Sequence, residues 1–232
     1  MNRDGKPLRA LPRAADAGES QAELAFARIE ELIASLELAP GAPVSEAILG
    51  ARIGLGRTPV RMALRRLEHM GLVSSLPNKG VFIRPMNLED QLAILEVRRP
   101  LERMLAAKAA RLATAEQRGR LRVQVEAMLA AARAGDRHGY LRCDQACDEV
   151  IYETARNPYA VEFAALLYTH SRRYWVARAE AAHWLPLAEL HRDMMYAIAE
   201  GDEGRAMAGS DALLDYLEAR CKASAGLLPP GP

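Results

Sequence analysis

Apolar residues recur along this chain with the period of an α-helix, and the pattern changes near residue 86. Before that point, three periodic stretches precede a short segment rich in strand-forming residues. Ser20 and Glu23 have the spacing of a capping box ahead of the first stretch, and Ser45 stands at the start of the second. On that second stretch we expect Ile48 to face a core. The pattern predicts three helices followed by a β-hairpin.

The second and third predicted helices are separated by only a few residues. Gly54 is placed to end the second helix in a left-handed turn, and Gly56 occupies the N-cap of the third. In the third helix, Val60, Leu64 and Leu67 repeat at the spacing of one buried face. Two helices joined by so tight a turn are typical of a helix-turn-helix.

The segment after the third helix has the features of a hairpin. Strand-forming residues at 72–76 and 81–84 flank a turn with the sequence Pro77-Asn78-Lys79-Gly80. A two-stranded hairpin with a basic tip is the wing of a winged helix. Residues 20–86 are therefore predicted to form a winged helix-turn-helix domain.

From residue 87 onward the periodicity is helical and no strand is predicted. About six helices with short connections imply an antiparallel bundle over residues 87–225. Pro100 should kink or split the first of these helices. The terminal segments 1–19 and 226–232 lack periodicity and are expected to be flexible tails. The predicted fold class is mainly α: a winged helix-turn-helix followed by a helical bundle.

Charge and composition support two units with different partners. In a chain of net charge +1, residues 1–86 have a balance of +3 and residues 87–232 a balance of −2. The three cysteines contain no CxxC pair, which argues against a disulfide framework or a thiolate zinc site. No apolar run approaches the roughly 18 residues of a membrane span, so we expect a cytoplasmic protein without a membrane partner.

The third predicted helix carries a row of arginines. Residues 52–84 contain seven Lys or Arg against one acid, Glu68. Arg57, Arg61 and Arg65 repeat at i, i+4 and i+8 and point away from the buried face. Such a row suits phosphates, and the guanidinium fork matches guanine O6 and N7 in the major groove. A solvated helix face is the alternative, but the tight helical pair and the wing favour duplex DNA as the partner.

Motifs throughout this part resemble the amino-terminal domain of GntR-family transcription regulators. They are PG at 40–41, SE at 45–46, RTPVR at 57–61, RLE at 66–68 and GLV at 71–73, with a glycine in the wing. The resemblance implies that Arg57 and Arg61 read bases and phosphates and that Thr58 contacts phosphate. The expected DNA-binding residues are Arg57, Thr58, Arg61, Arg65, Lys79 and Gly80.

The chain departs from the family pattern at two positions of this domain. Gly56 stands where the family usually has Ser or Thr, which removes a side-chain cap and a potential phosphate contact. Ala47 stands where some members carry a DNA-contacting Arg. Because the RTPVR motif is intact, we expect DNA binding with altered strength or site preference.

The second half resembles the all-helical effector domain, named FCD, of the FadR-type branch of that family. The similar stretches are EVRRPLE at 96–102, ARAGD at 132–136, NPY at 157–159 and the run 191–202. The resemblance implies a sensor of small molecules, commonly carboxylates, and many members hold a divalent metal with one Asp and three His. With this second domain included, the resemblance to the family covers nearly all of residues 24–220.

The metal pattern implied by the resemblance is incomplete here. Asp144 and His191 match two ligands, Asp148 stands at a His position, and Leu213 stands at the third His position. Asp144, Asp148 and His191 are the candidate metal set, and so oxygen-rich a set favours magnesium, manganese or calcium over zinc. The alternative is a hydrogen-bonded acidic cluster that orders the helices.

The candidate effector pocket consists of Arg98, Asp144, Asp148 and His191. By resemblance Arg98 points toward the cavity and grips an effector carboxylate through a bidentate contact. A structural salt bridge with Glu102, one turn away, is the alternative for Arg98.

The favoured function is a transcription regulator, a repressor by family tendency, that binds a pseudo-palindromic operator as a homodimer and responds to a small organic-acid effector. A second hypothesis is an enzyme with a hydrolytic metal site, but no nucleophile with a base and no phosphate-binding glycine loop is present. A third is an architectural DNA-binding protein with an inert bundle. A response to ligand without turnover distinguishes the first from both others.

Overall fold

A computed structural model describes residues 20–178, 180 and 183–224, so the expected tails at 1–19 and 226–232 lie outside the described residues. Within those ranges the chain forms nine helices and three short strands. Their bounds are α1 Gln21–Ala34, β1 Pro43–Val44, α2 Glu46–Ile53, α3 Arg57–His69, β2 Val73–Leu76, β3 Gly80–Ile83, α4 Leu88–Leu112, α5 Ala115–Ala134, α6 Arg137–Ala155, α7 Pro158–Arg178, α8 Trp184–Glu200 and α9 Glu203–Ser224. The predicted class, a winged helix-turn-helix followed by a six-helix bundle, is confirmed.

The wing contains one strand more than the sequence pattern predicted. β2 and β3 form the expected antiparallel hairpin, and β1 pairs with the other edge of β3 to give the strand order β1-β3-β2. The amide of Gly41 donates to the carbonyl of Ile83, and the amide of Ile83 donates to the carbonyl of Ala42. The predicted hairpin is confirmed, and β1 was not predicted because a two-residue strand is too short to show a period of two.

Local capping explains where the helix-turn-helix begins and ends. The hydroxyl of Ser45 accepts from the amide of Ile48, and Gly54 ends α2 with a φ of 70°. Gly56 caps α3 without a side-chain hydrogen bond. The side chain of Ile48 is 70% exposed, so its expected burial was wrong. The short α2 buries Leu49 and Ile53, one turn apart, and Ile48 points about 100° away from Leu49.

The six helices α4 to α9 enclose a separate hydrophobic core. α4 packs along α9, while α5 packs along both α6 and α8. α4 continues through Pro100, so the expected split does not occur. A proline removes one amide donor from a helix, and the other backbone bonds and the packing of this 25-residue helix keep it continuous.

The two units contact each other mainly through α1 and α7. The hydroxyl of Thr169 donates to a carboxylate oxygen of Glu30 at 2.7 Å, and Nε2 of His170 lies 2.8 Å from the carbonyl oxygen of Met70. Arg173, which is 1% exposed, donates to the carbonyl of Arg84 at 2.6 Å. The ring of His170 therefore bridges the two units at the end of α3.

In the ranges that the structure describes, no helix combines the length and apolar character that crossing a bilayer requires.

A close approach of α8 and α9 generates a stability prediction. A Cβ at Gly209 would lie 2.9 Å from both Cα and Cβ of Met194, whereas a Cβ at Gly119 in α5 would meet no atom within 4 Å. We expect Gly209→Ala to lower the free energy of unfolding by about 1 to 3 kcal/mol through overpacking. The control Gly119→Ala should raise it by about 0.5 to 1 kcal/mol through helix propensity. Denaturant unfolding measures both, and equal effects would contradict the close packing.

Candidate DNA-reading face and bundle pocket

One surface of the winged helix presents the arginine row. Arg57, Arg61 and Arg65 are all exposed, while Val60 and Leu67 of the same helix are fully buried against the core. The amphipathic spacing of α3 thus separates the two faces as the sequence predicted. Thr58 is also exposed and lies in the first turn of α3. The row extends from that first turn along two turns of solvent-facing helix.

The wing tip carries the remaining predicted DNA contacts. Lys79 and Gly80 are exposed at the turn between β2 and β3. Gly80 has a φ of +93° and Asn78 a φ of 61°, and the amide of Lys79 donates to the carbonyl of Leu76. Only glycine adopts the Gly80 conformation without strain, so a side chain at this position would disturb the tip.

An acid on α2 contacts the central arginine of the row. Glu46 accepts two hydrogen bonds from Arg61, at 2.7 Å from Nε and 2.8 Å from Nη2. Those bonds lower the pKa of the Glu46 carboxyl, and the charges of Arg57 and Arg65 add to the shift. This pair was not predicted from the sequence, because the two residues are 15 positions apart and belong to different helices.

Basic residues elsewhere in the predicted cluster have other partners. The guanidinium of Arg66 stacks over the ring of Phe26 at 3.9 Å, and Arg52 pairs with Glu37 at 2.5 Å. The cluster therefore divides into a row toward solvent and residues that join α3 and α2 to the rest of the domain.

The second candidate site is a set of charged groups inside the bundle. Asp144 of α6 accepts from the hydroxyl of Tyr168 at 3.1 Å and from Nη2 of Arg172 at 3.3 Å, and Nε2 of His191 lies 3.1 Å from it. Arg172 also pairs with Asp148 at 3.6 Å. Three helices, α6, α7 and α8, thus converge on one buried carboxylate.

The surroundings shift the pKa values of the two aspartates in opposite directions. Burial would raise the pKa of Asp144, but the contacts with His191, Arg172 and Tyr168 outweigh it and lower that pKa to about 2. Burial, and after it the charge of Asp144, raise the pKa of Asp148 well above its usual value. Asp144 is therefore the carboxylate that retains its charge.

His191 is oriented by its own helix. Its Nδ1 lies 2.9 Å from the carbonyl oxygen of Leu187, one turn earlier, and 3.3 Å from the hydroxyl of Tyr140. Donation from Nδ1 to the Leu187 carbonyl directs Nε2 toward Asp144. Nε2 is buried and lies 3.1 Å from a carboxylate oxygen of Asp144.

Arg98 forms the structural salt bridge with Glu102 that the sequence left open. It is 3% exposed, its Nε donates to Glu102, and its Nη1 donates to the hydroxyl of Ser171 at 2.6 Å. Its guanidinium also stacks over the ring of Tyr168 at 4.6 Å. Arg98 therefore forms a structural ion pair and also lines the cavity that contains Asp144 and His191.

The candidate metal ligands Asp144, Asp148 and His191 do not form an ion-binding arrangement. Among the residues that the structure describes, no three His, Cys, Asp or Glu side chains are arranged to hold a metal ion. The guanidinium of Arg172 lies between the two aspartates, and Leu213 is a buried apolar wall of the cavity. The residues present do not fit a divalent metal.

A larger cleft, which was not predicted from the sequence, shares Tyr168 and Arg172 with this cavity. The inner space beside Asp144 and His191 is only about 40 Å³, whereas a cleft of about 450 Å³ lies between α1 and the helices α6 and α7. Asp148, Tyr168 and Arg172 line the inner end of the cleft. Small-molecule sites commonly have volumes of roughly 300 to 1,000 Å³. Tyr168, Ser171 and Arg172 were not predicted, because α7 contains two adjacent arginines and the sequence does not show which points inward.

Comparisons with known proteins match both units. The family model described as "Bacterial regulatory proteins, gntR family" matches residues 21–83, and the model described as "FCD domain" matches residues 93–216. An uncharacterized HTH-type transcriptional regulator of Agrobacterium vitis, from the TAR-I ttuE-ttuC' intergenic region, is 31% identical over 153 residues, which are 65% of this chain and 90% of that protein. A probable D-xylose utilization operon transcriptional repressor of Paenarthrobacter nicotinovorans is 32% identical over 184 residues, 73% of this chain and 75% of that one.

A solved structure shows the same fold. McbR/YncC of Escherichia coli aligns with a TM-score of 0.79 at 20% identity, over 89% of this chain and 99% of that chain. The matched relatives are transcriptional regulators, so this chain is a DNA-binding regulator rather than an enzyme. Since the FCD model alone covers more than half of the chain and the winged helix matches its own model, the chain belongs to the GntR family of transcriptional regulators, in the FadR-type branch with an FCD domain.

Proposed function

We propose that this regulator is a ligand-responsive repressor that binds a pseudo-palindromic operator as a homodimer and changes its DNA affinity when a small carboxylate binds in the bundle. The observation that carries the proposal is the exposed row of Arg57, Arg61 and Arg65 on α3 beside the wing tip. Repression has support from the Paenarthrobacter relative, which is named as a repressor.

DNA contact would use the whole row and the wing. Arg57 and Thr58 stand at the amino end of α3, where backbone amides and the helix dipole favour phosphate. Arg61, one turn later, is placed for base edges in the major groove, and Arg65 for the backbone beyond it. Lys79 and Gly80 would then contact the neighbouring minor groove.

Two copies are needed for selectivity. One recognition helix covers only a few base pairs, whereas two helices about one DNA turn apart read a symmetric site. Tyr159 and Phe163 lie one turn apart on α7 and are 63% and 59% exposed. A pair of large apolar side chains on one helix face is a candidate part of the surface where a second copy packs.

The effector would enter through the cleft between the units. Its carboxylate would meet Arg172 and then Arg98, since a guanidinium binds a carboxylate through two parallel hydrogen bonds. Asp144 and His191 would hold the arginines and the floor of the site in place. A ligand in the cleft would also contact α1, because Arg28, Glu31 and Ser35 line the opposite wall.

The effect of a bound ligand on the winged helix would pass through α7, because one face of α7 lines the cavity and the other contacts the winged helix. Tyr168, Ser171 and Arg172 line the cavity, while Thr169, His170 and Arg173 bind the winged helix. A ligand that favours one position of α7 must change operator affinity, and by linkage the operator changes ligand affinity equally.

The first prediction tests the DNA face and with it the proposed function. Operator fragments are selected from genomic DNA with purified protein, and their affinity is measured by fluorescence anisotropy. Arg61→Ala should weaken operator binding by about 10- to 100-fold, because a base and phosphate contact is lost. Arg192→Ala, which removes an exposed arginine of the bundle, is the charge-matched control and should bind normally. Equal affinities for wild type and Arg61→Ala would remove this face from the proposal.

The second prediction concerns the carboxylate that orients Arg61. Glu46→Gln keeps the shape of the side chain and removes its charge, so α3 becomes more attractive to any phosphate and Arg61 loses its fixed direction. The ratio of operator affinity to random-DNA affinity should fall on the order of 10-fold, largely because random DNA binds more tightly. Competition titrations with random duplex measure the ratio. A ratio like that of wild type would show that Glu46 does not direct Arg61.

The third prediction tests α7 as the connection between the sites. Operator binding to wild type should change amide hydrogen exchange in α6, because the winged helix and the cavity share α7. The double variant Thr169→Val and His170→Ala removes two contacts across the boundary and should lose that change while keeping operator affinity within about threefold. The control Glu162→Gln alters an exposed residue of α7. If the double variant shows the same exchange response as wild type, the coupling takes another route.

A further inference from the structure

The charged cluster of the bundle is organised around a side chain that the metal hypothesis does not include. Nη2 of Arg172 lies 3.3 Å from an oxygen of Asp144 and 3.6 Å from an oxygen of Asp148. These two carboxylates are the oxygen ligands of the candidate metal set. One nitrogen of a permanently charged group therefore lies between them.

A guanidinium and a divalent ion are mutually exclusive at this position. Like charges a few ångströms apart repel strongly inside a protein, and a metal must also come within about 2.0 to 2.6 Å of its oxygens. The guanidinium cannot remain beside both aspartates while an ion binds them. The side chain of Arg172 is 15% exposed, and its guanidinium stacks over the ring of Tyr168 beside the two aspartates.

The other two positions of the ligand set lead to the same conclusion. Leu213 is 1% exposed and presents only carbon to the cavity. Asp144 and His191 remain as a pair, with 3.1 Å between carboxylate oxygen and Nε2, and two ligands hold a divalent ion far more weakly than four. The pair is instead used within the protein, since Asp144 accepts from Tyr168 and Arg172.

We propose that Arg172 takes the place of the metal ion, so that this regulator forms its effector site and binds an organic anion through guanidinium groups alone. The inference rests on the proposed effector function for the identity of the ligand, but its metal-free part does not. Arg98 supplies a second guanidinium, since both arginines stack over the ring of Tyr168, at 4.6 Å and 5.1 Å.

Arg172 also has a donor available for the anion. Its Nε is buried and has no hydrogen-bond acceptor, whereas its Nη2 faces the aspartates. A buried donor without a partner is unfavourable, and a ligand oxygen at this position would satisfy it. The same guanidinium then provides the charge of a metal on one edge and a binding group on the other.

The test uses the full-length protein purified without metal-affinity resin. Elemental analysis should find far less than one divalent ion per chain. Neither EDTA nor added Mn²⁺, Ni²⁺ or Zn²⁺ should shift the thermal midpoint of wild type. An ion present at about one per chain, whose removal by EDTA lowers the midpoint, would overturn the proposal. This result is independent of DNA binding, so it separates the inference from the proposed function.

A variant provides the positive arm of the test. Arg172→Ala leaves Asp144 and Asp148 without their cation and should lower the midpoint on the order of 10 °C. Added Mn²⁺ should recover part of that loss, because an ion can now bind between the aspartates. Arg178→Ala, on the exposed part of α7, is the matched control and should show neither effect. A destabilised Arg172→Ala that does not respond to Mn²⁺ would show that Arg172 does not stand in for a cation.

A second variant covers the case in which Arg172→Ala does not fold. Arg172→Lys keeps the positive charge and should remain insensitive to Mn²⁺, with a midpoint between those of wild type and Arg172→Ala. Stabilisation of Arg172→Lys by Mn²⁺ to the same extent as Arg172→Ala would contradict the role of charge at this position.

Discussion

A buried carboxylate that must be neutralised determines how the bundle is assembled. Asp144 lies inside three packed helices and keeps its charge, so it requires cationic and hydroxyl partners from its neighbours. α7 supplies Tyr168 and Arg172, and α8 supplies His191. Removing one partner of a buried pair commonly costs several kcal/mol, because the remaining charge is left uncompensated. The position of α7 is therefore set by electrostatics as well as by apolar packing.

The position of α7 also affects the DNA-binding unit, because α7 contacts both the bundle and the winged helix. Thr169, His170 and Arg173 lie on the side of α7 that meets the winged helix. Burial, together with the charge of Arg84, lowers the pKa of Arg173 to about 10, which still leaves this guanidinium protonated at neutral pH. The contacts of Arg173 and His170 are both to backbone carbonyls, so they depend on the path of the chain in the winged helix.

The features that the sequence predicted are those determined by neighbouring residues. Ser20 and Ser45 cap their helices because a hydroxyl oxygen accepts from an amide three residues later. The spacing of Arg57, Arg61 and Arg65 placed them on one face because helical geometry relates residues four apart. These relations need no knowledge of the tertiary fold.

The features that were missed depend on distant parts of the chain. β1 forms only because β3 offers an edge to it, about forty residues later in the sequence. The pairing of Glu46 with Arg61 requires the crossing of α2 and α3. Periodicity along α7 could not divide two adjacent arginines between its two sides, since tertiary contacts decide which of them faces the cavity.

Arg172 contacts the charged cluster of the bundle, whereas the adjacent Arg173 contacts the winged helix, so a single helix joins the two units. Neighbouring residues on a helix point about 100° apart, so Arg172 and Arg173 face different sides of α7, and a shift or rotation of the helix moves the backbone of both. A helix of 21 residues, packed on α4 and on α1, moves more readily as a unit than it deforms. An anion that shifted α7 on binding Arg172 would also move Arg173 relative to the carbonyl of Arg84. Under the proposed function, ligand binding and the contacts of the winged helix would then both depend on the position of this one helix.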